Sequence, residues 1–540
     1  MQYPTHEVIN QPPPLEGHNP YTLDAALGEG LAREGAAWAS DSLEELGELA
    51  GSPEVIEWGR VANANFPVLR THDRFGHRED RIEFHPAYHH LMETAIAAGL
   101  HAAPWVDTRP GSHVVRAAKF IVWTSVEAGH LCPMSMTYAV VPCLAEEPDL
   151  LAEWLPRLAS PEYDPAFLPA TQKRGITAGM ALTEKQGGSD VRANSTVAIP
   201  DGDGAYLLTG HKWFVSGTMA DIFLATALGP EGLTCFFLPR WKPDGSKNNF
   251  WIQHIKDKMG DRSNATSEVE FADAWALPVG PAGRGVRTIV EMINRTRLDC
   301  SLGSAGLMRA GLAQAIHHAR HRAAFGKGLQ DQDLMVQVLA DLALESEAAA
   351  SAALRLAGAY DRVARGAEPP GFSRIATPVV KYWICKRNPG HSAEALECLG
   401  GSGYIEDSGL PRVFRQSPLN GVWEGSGNVI CLDVLRAMRR EPESLEAFLG
   451  ELDLAAGADG RYDTALEGLK KALTEIGETG ARRLVESMAL LLQASLLLRH
   501  APGFVSDAFV AGRLESPGIA YGALPDGVDA GAIVQRAMPE

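Results

Sequence analysis

One carboxylate in the chain stands in a segment whose residue types could support acid–base chemistry. Glu424 lies in the sequence VWEGSGN, between a tryptophan and a glycine, and the apolar residues that follow at 429–438 recur at helical spacing. Ser426 or Asn428 is the predicted N-cap of that helix. A carboxylate here could act as a general base, since burial would raise its pKa while the helix N-terminus would lower it. An acidic first-turn residue without a catalytic role fits the same pattern, so the segment alone leaves both interpretations open.

Two earlier segments combine glycines, hydroxyls and aromatic rings and could hold a ligand. Residues 180–190 (MALTEKQGGSD) form an extended run that enters a polar loop, where paired glycines let backbone N–H groups approach a ligand closely. Residues 210–217 (GHKWFVSG) put aromatic bulk and a hydroxyl on one strand. Taken singly, the first segment is also typical of a surface turn and the second of a hydrophobic core. The phosphate-binding pattern GxxxxGK[ST] is absent, which excludes a P-loop nucleotide-binding protein.

The elements that would position these segments alternate between helical and extended patterns along the chain. We predict four domains: residues 1–174 (N-terminal helical domain), 175–284 (β domain), 285–440 (helical bundle carrying the Glu424 segment) and 441–540 (C-terminal helical extension). Helical spacing is clearest at residues 23–35, 86–98, 111–128, 307–322, 334–357 and 484–499.

The β domain is predicted from short β-rich runs with no helix between them. These runs are residues 195–199, 205–208, 213–216, 222–227, 234–238 and 267–271. The first two flank PDGDG, which is a hairpin signal. A small sheet or barrel should therefore lie between two helical parts, which makes the fold class α+β.

Composition limits the class of protein. Seven scattered cysteines without a CxxC pair are typical of reduced thiols in a cytosolic protein. The N-terminus lacks a basic stretch followed by an apolar one, and the longest apolar run, residues 488–498, is too short to span a bilayer. We therefore expect a soluble, cytoplasmic protein with no membrane partner. A formal net charge of −18 argues against tight nonspecific binding to nucleic acid.

Taken together, the three segments resemble the acyl-CoA dehydrogenase superfamily. Its members carry T-E-x-x-x-G-S-D before a β domain, K-x-W-I-[ST] within it, and Q-x-x-G-G-x-G-Y followed by Y-E-G-T in the last helices. The forms TEKQGGSD, GHKWFVSG and WEGSGN, the opening THEVINQPPPL and the additional C-terminal block are most similar to the AidB (adaptive response to alkylation) branch. The resemblance covers essentially the whole chain. It implies an acyl-CoA dehydrogenase-like fold: an N-terminal helical domain, a central β-barrel or sheet domain, a C-terminal helical bundle and an extra C-terminal helical domain.

The resemblance also implies an FAD cofactor and a role for each matching residue. Residues expected to line the flavin are Met180, Leu182, Thr183, Ser189, Phe214 and Ser216. Arg322 matches an arginine that reaches the FAD pyrophosphate of a neighbouring subunit, which implies a homotetramer built from dimers. Residues expected around the adenine-side phosphates and ring edge are Trp423, Gly425, Ser426 and Asn428. Glu424 matches the base that removes the α-proton of an acyl-CoA while hydride passes from the β-carbon to the flavin.

Several positions depart from the superfamily pattern. Phe214 stands where most relatives have tryptophan, Glu397 where many have glutamine, and Asp333 where a glutamine contacts the flavin, although Gln332 is adjacent. Residues 294–299 (NRTRLD) lack the Glu-Arg pair associated with the CoA tail. The flavin motifs are therefore retained, whereas the motif for CoA is not.

Three functions follow as hypotheses. The first is an FAD-dependent flavoprotein of the alkylation response that retains weak dehydrogenation of acyl-CoAs, such as short branched ones, or related small molecules. The second is an ordinary acyl-CoA dehydrogenase of acyl catabolism. The third is a catalytically idle, flavin-stabilised DNA-binding protein. The retained Glu424 favours some chemistry, and the missing Glu-Arg pair argues against routine acyl-CoA turnover.

The C-terminal block and the histidines complete the candidate sites. Residues 441–540 carry eight basic against 16 acidic residues, a poor footprint for a duplex binder. Candidate DNA contacts are the pairs Lys470-Lys471 and Arg482-Arg483, from which we expect weak, salt-sensitive binding to double-stranded DNA. The histidine groups are His317 with His321, and His85, His89 and His90. Neither has the carboxylate or cysteine partners of a metal site, so we predict packing or surface roles and no metal.

Overall fold

The computed structural model describes residues 5–473 and 477–539, which form helical and β elements in two compact units. Unit 1 takes Met1–Pro53, Pro110–Val126 and Cys300–Glu540, and unit 2 takes Glu54–Arg109 and Glu127–Asp299. Because each unit draws on separate segments of the chain, the predicted boundaries at 174, 284 and 440 are not tested by this division and stay a prediction.

The α-helices occupy most of the chain outside residues 178–279. In chain order they are α1 (Ala25–Arg33), α2 (Ser40–Ala50), α3 (Pro53–Ala64), α4 (Pro86–Ala97), α5 (Ser112–Thr124), α6 (Leu131–Leu144), α7 (Pro148–Leu158), α8 (Gly285–His321), α9 (Asp333–Ala364), α10 (Gly371–Glu397), α11 (Leu410–Gln416), α12 (Gly427–Arg440), α13 (Pro442–Asp453), α14 (Gly460–Ala472), α15 (Ala481–His500), α16 (Gly503–Val510) and α17 (Ala530–Ala537).

The β-strands lie mainly in unit 2. In chain order they are β1 (Val68–His72), β2 (Arg78–Glu83), β3 (Ala178–Ala181), β4 (Val197–Pro200), β5 (Tyr206–Ser216), β6 (Ile222–Gly229), β7 (Gly232–Pro239), β8 (Phe250–Ile255), β9 (Thr266–Val279), β10 (Ala323–Ala324) and β11 (Lys327–Gly328). The last two form a small hairpin in unit 1.

The main sheet of unit 2 has the strand order β3-β5-β4-β6-β7-β9-β8, with additional pairing of β3 to β6 and of β5 to β9. β4 and β5 pair antiparallel from Val197 opposite Thr209 to Pro200 opposite Tyr206, which is the hairpin expected around PDGDG. Alternate side chains pack inward to form one core, in which the phenylalanines 223, 236, 250 and 271 are all buried. This sheet is the scaffold that carries residues 180–217.

In unit 1 the two long helices α9 and α10 each pack against several other helices. α9 packs against α1, α5, α15 and α17, and α10 packs against α11, α12, α13 and α15. The last helices of the chain thus pack directly on the bundle. Within the described residues no helix combines the length and the apolar character needed to span a membrane.

The α+β fold class and the long helices are confirmed, and the structure corrects three details. Residues 213–216 are not a separate run, because β5 continues from Tyr206 to Ser216 without interruption. The N-terminal segment also contains the hairpin β1–β2, and β8 pairs with β9 where no strand was expected. β2 (REDRIE) is almost entirely charged, and β1 (VLRTH) has its two apolar residues side by side, so neither strand has the alternating apolar pattern of a predictable strand.

All seven cysteines are buried and none forms a disulfide, as expected for thiols that pack as small apolar groups.

Candidate functional site

The loop that carries Glu424 has a backbone conformation that needs support. Glu424 has φ +58°, in the left-handed region that non-glycine residues rarely adopt, and Gly425 follows with φ +105°. Such a residue persists only where its surroundings hold it, and it favours a functional rather than a purely structural role. Glu424 itself is half-buried.

A buried lysine supplies this support. The Lys381 ammonium on α10 donates hydrogen bonds to the Trp423 carbonyl oxygen at 2.8 Å and to the Gly425 carbonyl oxygen at 2.5 Å. Only 1% of Lys381 is exposed, so its charge is satisfied by these two carbonyls rather than by water. Lys381 therefore clamps the backbone carbonyls of the two residues that flank Glu424.

Lys381 was not among the residues predicted from the sequence. It stands in the otherwise apolar run PVVKYWIC of α10, and a lysine at such a position indicates a buried partner. That signal could have identified the residue, although not the carbonyls that it meets.

The indole of Trp423 is fixed by a second chain of hydrogen bonds. Its Nε1 donates to Asn420 Oδ1 at 3.0 Å, and Asn420 Nδ2 donates to Ser304 Oγ at 3.1 Å. Ser304, on α8, is fully buried and Asn420 is nearly so. The residue before Glu424 is thus anchored to a core helix.

The residues that follow Glu424 begin α12. Ser426 occupies the N-cap position, as one of the two predicted alternatives, but its side chain makes no capping hydrogen bond. Asn428 is exposed, and its Oδ1 accepts a hydrogen bond from Arg482 Nε at 2.8 Å. The structure therefore joins a residue predicted to bind FAD to one predicted to contact DNA.

The other predicted DNA contacts lie in different surroundings. Lys470, on α14, forms an ion pair with Asp453 at 2.6 Å between its Nζ and the carboxylate oxygen. Lys471 and Arg483 are exposed. Since Lys470 is locally neutralised and Arg482 engages Asn428, the four residues do not form a uniform basic group.

Arg322 lies at the end of α8, next to the β10–β11 hairpin. Its guanidinium donates to the backbone carbonyl of Asn10. The Asn10 side chain also binds the backbone of Ala323, which follows Arg322. Its Oδ1 accepts from the Ala323 N–H at 2.8 Å, and its Nδ2 donates to the Ala323 carbonyl at 2.8 Å. Asn10, in the N-terminal segment, thus holds the arginine predicted to reach a pyrophosphate, a contact that the sequence did not indicate.

In unit 2 the sheet brings two of the predicted flavin residues together. Met180 on β3 lies opposite Ser216 on β5 in the strand register. Phe214, two residues earlier on β5, leaves half of its side chain exposed, at 50%. Ser189 is exposed and Thr183 is half-buried, whereas Leu182 is buried and its carbonyl oxygen accepts from Asn194 Nδ2 at 2.7 Å.

These residues fit an FAD isoalloxazine. The hydroxyls of Thr183, Ser189 and Ser216 can donate or accept hydrogen bonds, and a half-exposed phenylalanine offers a flat apolar face to a ring. Lys256 lies 4.6 Å from the centre of the Phe214 ring. A hydroxyl, aromatic and cationic set suits a flavin better than a metal ion.

The acid of the TEKQGGSD loop does not face a ligand. Glu184 Oε1 and Lys212 Nζ form an ion pair at 2.8 Å in which neither side chain is exposed. Ser195 and Thr196 donate further hydrogen bonds to the Glu184 carboxylate. Burial raises the pKa of Glu184, but the charge of Lys212 and these hydrogen bonds outweigh it and lower the pKa to about 2. Burial lowers the pKa of Lys212 from its ordinary value.

The predicted histidine groups make ordinary packing contacts. His317 Nε2 lies 2.8 Å from the Pro13 carbonyl oxygen, and His321 Nδ1 lies 2.8 Å from the His317 carbonyl oxygen. His85 caps α4 by accepting from the Ala87 N–H. Among the described residues no group of three or more His, Cys, Asp or Glu side chains is arranged to hold a metal ion.

Two of the departures from the superfamily pattern, Glu397 and Asp333, lie at the surface of their elements. Glu397 is the exposed last residue of α10, and Asp333 is the exposed first residue of α9. Gln332, beside Asp333, donates through Nε2 to the Ala324 carbonyl at 3.1 Å, so this glutamine supports the hairpin after Arg322. Within residues 294–299, Arg295 forms an ion pair with Glu291.

Comparison with known proteins identifies relatives over the whole chain. Residues 10–165 match the adaptive response protein AidB N-terminal domain, residues 179–274 the acyl-CoA dehydrogenase middle domain and residues 283–439 the acyl-CoA dehydrogenase C-terminal domain. The chain is 43% identical over 520 residues to AidB of Escherichia coli, covering 96% of each protein. It is 29% identical over 541 residues to acyl-CoA dehydrogenase family member 11 of Caenorhabditis elegans, covering 92% of this chain and 85% of that protein.

A solved structure is similar over nearly the same extent. Caenorhabditis elegans ACDH-11 in complex with C11-CoA superposes with a TM-score of 0.85 at 26% sequence identity, covering 99% of this chain and 93% of that one.

Proposed function

Because this chain belongs to the acyl-CoA dehydrogenase family, in the branch that carries the AidB N-terminal domain, we propose that it is an FAD-dependent oxidoreductase in which Glu424 is the general base. The observation that carries the proposal is the clamp on the Glu424 loop. Glu424 has a backbone conformation in the left-handed region, and a buried lysine binds the carbonyls of the residues on both sides of it. Such a conformation raises the energy of the folded chain and therefore favours a functional role.

Bound FAD would supply the acceptor for a hydride from the β-carbon of an acyl-CoA. Glu424 would take the α-proton, and the Lys381 clamp would hold its carboxylate in one orientation for that transfer. In unit 2, Phe214 would offer its face to the isoalloxazine, and Thr183, Ser189 and Ser216 would orient its polar atoms. Arg322 would meet the pyrophosphate, with Asn10 keeping the guanidinium in place.

The substrate class is a thioester of CoA, and we infer short branched acyl groups as the first to test. The choice of a CoA thioester is supported by Caenorhabditis elegans ACDH-11, whose solved structure contains C11-CoA. The absence of the Glu-Arg pair at residues 294–299 favours slow turnover over an ordinary catabolic role.

The test is an anaerobic titration of the FAD-loaded protein with branched and straight-chain acyl-CoAs, followed by bleaching of the flavin absorbance. Glu424→Gln keeps the shape of the side chain and removes its basicity, so the reduction rate should fall about 10²- to 10⁴-fold while FAD stays bound. Glu446→Gln is the matched control, since Glu446 is an exposed acid on α13 with no assigned role.

Two results would contradict the proposal. An unchanged reduction rate in Glu424→Gln would exclude Glu424 as the base. A flavin that no acyl-CoA bleaches in the unsubstituted protein would exclude the thioester as the reductant.

The likeness to AidB carries two finer proposals. We infer a homotetramer, since a pyrophosphate contact from a neighbouring subunit requires one copy to complete the site of another. Light scattering of the FAD-loaded protein measures this directly, and a monomer that retains FAD would contradict it. We also infer a role in the response to DNA alkylation with weak duplex binding through Lys470, Lys471, Arg482 and Arg483.

A further inference from the structure

The additional C-terminal block touches the segment that carries Glu424 through one polar side-chain contact. Arg482 is the second residue of α15, and Asn428 is the second residue of α12. Arg482 Nε donates to Asn428 Oδ1 at 2.8 Å, across 54 residues of sequence. The Arg482 guanidinium also lies close to Gly427, since a Cβ placed there would come within 3.4 Å of its Nη2.

The contact determines which way the Asn428 amide faces. A guanidinium has only donors, so the amide must turn its oxygen toward Arg482. Its NH₂ group then points away from Arg482 with two donors available. Asn428 is thereby prepared to meet a hydrogen-bond acceptor and not a donor.

Arg482 has no ion-pair partner within the part of the chain that the structure describes. Among residues 5–473 and 477–539, no carboxylate lies within ion-pair distance of Arg482, whereas Lys470 of the neighbouring helix α14 is paired with Asp453. Lys386 approaches the same position from α10, with its Cε 3.0 Å from a Cβ built on Gly427. Two cations next to one small residue repel each other, and an anionic ligand there would relieve that repulsion.

We propose that Arg482 is a positioning residue for the adenosine diphosphate half of FAD, acting by orienting the Asn428 amide and by adding positive charge beside it. The inference rests on the proposed FAD site. It gives the C-terminal block a function in holding the cofactor.

The experiment measures dissociation constants of FAD and of FMN for apoprotein, by quenching of flavin fluorescence. Arg482→Ala should raise the dissociation constant of FAD about tenfold, the size expected for loss of a charge-assisted hydrogen bond. The constant for FMN, which lacks the adenosine monophosphate part, should stay within twofold. Arg439→Ala removes the same charge from the exposed far end of α12 and should leave both constants unchanged.

A double-variant cycle separates positioning from surface charge. Because Arg482 acts partly through Asn428, adding Arg482→Ala to Asn428→Ala should weaken FAD binding by less than Arg482→Ala does alone, and the remaining loss measures the contribution of its charge. Arg482→Lys, which keeps the charge but not the fixed Nε donor, should fall between Arg482→Ala and the unsubstituted protein.

The outcomes distinguish this inference from the proposed function. Unchanged FAD affinity in Arg482→Ala together with weaker binding in Asn428→Ala would overturn only the role of Arg482. Equal losses for FAD and FMN, or fully additive losses in the double variant, would also overturn it. An unsubstituted protein that binds no FAD would overturn the proposed function and this inference together.

Discussion

At the scale of single residues, Lys381 and Glu424 depend on each other. The lysine is buried on α10 and meets the carbonyls on both sides of Glu424, which has φ +58°. Removing the ammonium would take away the donor that both carbonyls share and would let the loop relax toward ordinary backbone angles. The carboxylate would then sample several orientations, of which few suit proton abstraction.

We therefore expect Lys381→Met to lower the rate of flavin reduction by acyl-CoA at least about tenfold, with FAD still bound. Single-turnover mixing under anaerobic conditions measures this rate. Adding Lys381→Met to Glu424→Gln should cost little more than Glu424→Gln alone, because the lysine acts through the glutamate. Losses that multiply would show that Lys381 has a separate role.

At the scale of elements, the buried pair Glu184–Lys212 ties the loop after β3 to the middle of β5. The loop backbone supplies further links, since the Trp213 N–H donates to the Thr183 carbonyl at 2.7 Å. Thr183 and Phe214 are thus held next to each other on unit 2 by an ion pair that no ligand needs to touch. This arrangement keeps the proposed flavin residues in place in the absence of a cofactor.

Glu184→Gln should lower the free energy of unfolding of unit 2 at neutral pH by about 3 kcal/mol, because it leaves Lys212 as an uncompensated buried charge. The pKa of Glu184 is lowered from 4.5 to about 2 in the folded protein. Its contribution is therefore fully present above about pH 4.5 and is lost as the pH falls toward 2. The difference between the variant and the unsubstituted protein should shrink across that window, as measured by urea unfolding at a series of pH values.

Glu153→Gln, an exposed change on α7 of the same unit, is the control and should have little effect at any pH. A Glu184→Gln deficit that stays constant between pH 5 and pH 2 would mean that the ion pair is not its source.

At the scale of the whole molecule, the charge distribution opposes the DNA-binding proposal that the AidB likeness supports. The chain has a net charge of −18, and the last hundred residues are also acidic. The structure reduces the basic set further, since Lys470 is paired with Asp453 and Arg482 engages Asn428. Lys471 and Arg483 are exposed, and symmetry between copies could gather such residues into one patch.

We expect duplex binding to be weak, steeply dependent on salt and undetectable near physiological ionic strength, as measured by fluorescence anisotropy of a labelled duplex. Each phosphate contact adds about 0.9 to the logarithmic salt slope, so replacing Lys470, Lys471, Arg482 and Arg483 together by alanine should abolish what binding remains. Replacing Arg439 and Arg440 of α12 by alanine is the control, since it removes two exposed cations outside this set. Tight binding at physiological salt that survives the four replacements would place the DNA surface elsewhere.

The sequence by itself determined the features that depend on local order. The alternation of helical and β patterns predicted the fold class. The three motifs identified the family, because each motif is a short contiguous segment whose residue types suit its own local backbone conformation. The position of Glu424 between a tryptophan and a glycine, just before a helix, was also visible. Strand runs were found where apolar and β-branched residues cluster. β1 and β2 were missed because β1 has only two apolar residues and β2 is almost entirely charged, and β8 was missed as well.

Only the tertiary structure decided which side chains support those motifs. Lys381 meets the carbonyls flanking Glu424 across 42 and 44 residues of sequence, and Arg482 meets Asn428 across 54. Asn10 binds the backbone of Ala323 across 313 residues of sequence. A buried lysine in an apolar helix signals that it has a partner, but the partner is chosen by how α10, α12 and α15 pack. Packing depends on many weak contacts summed over the fold, and no local run of letters contains that sum.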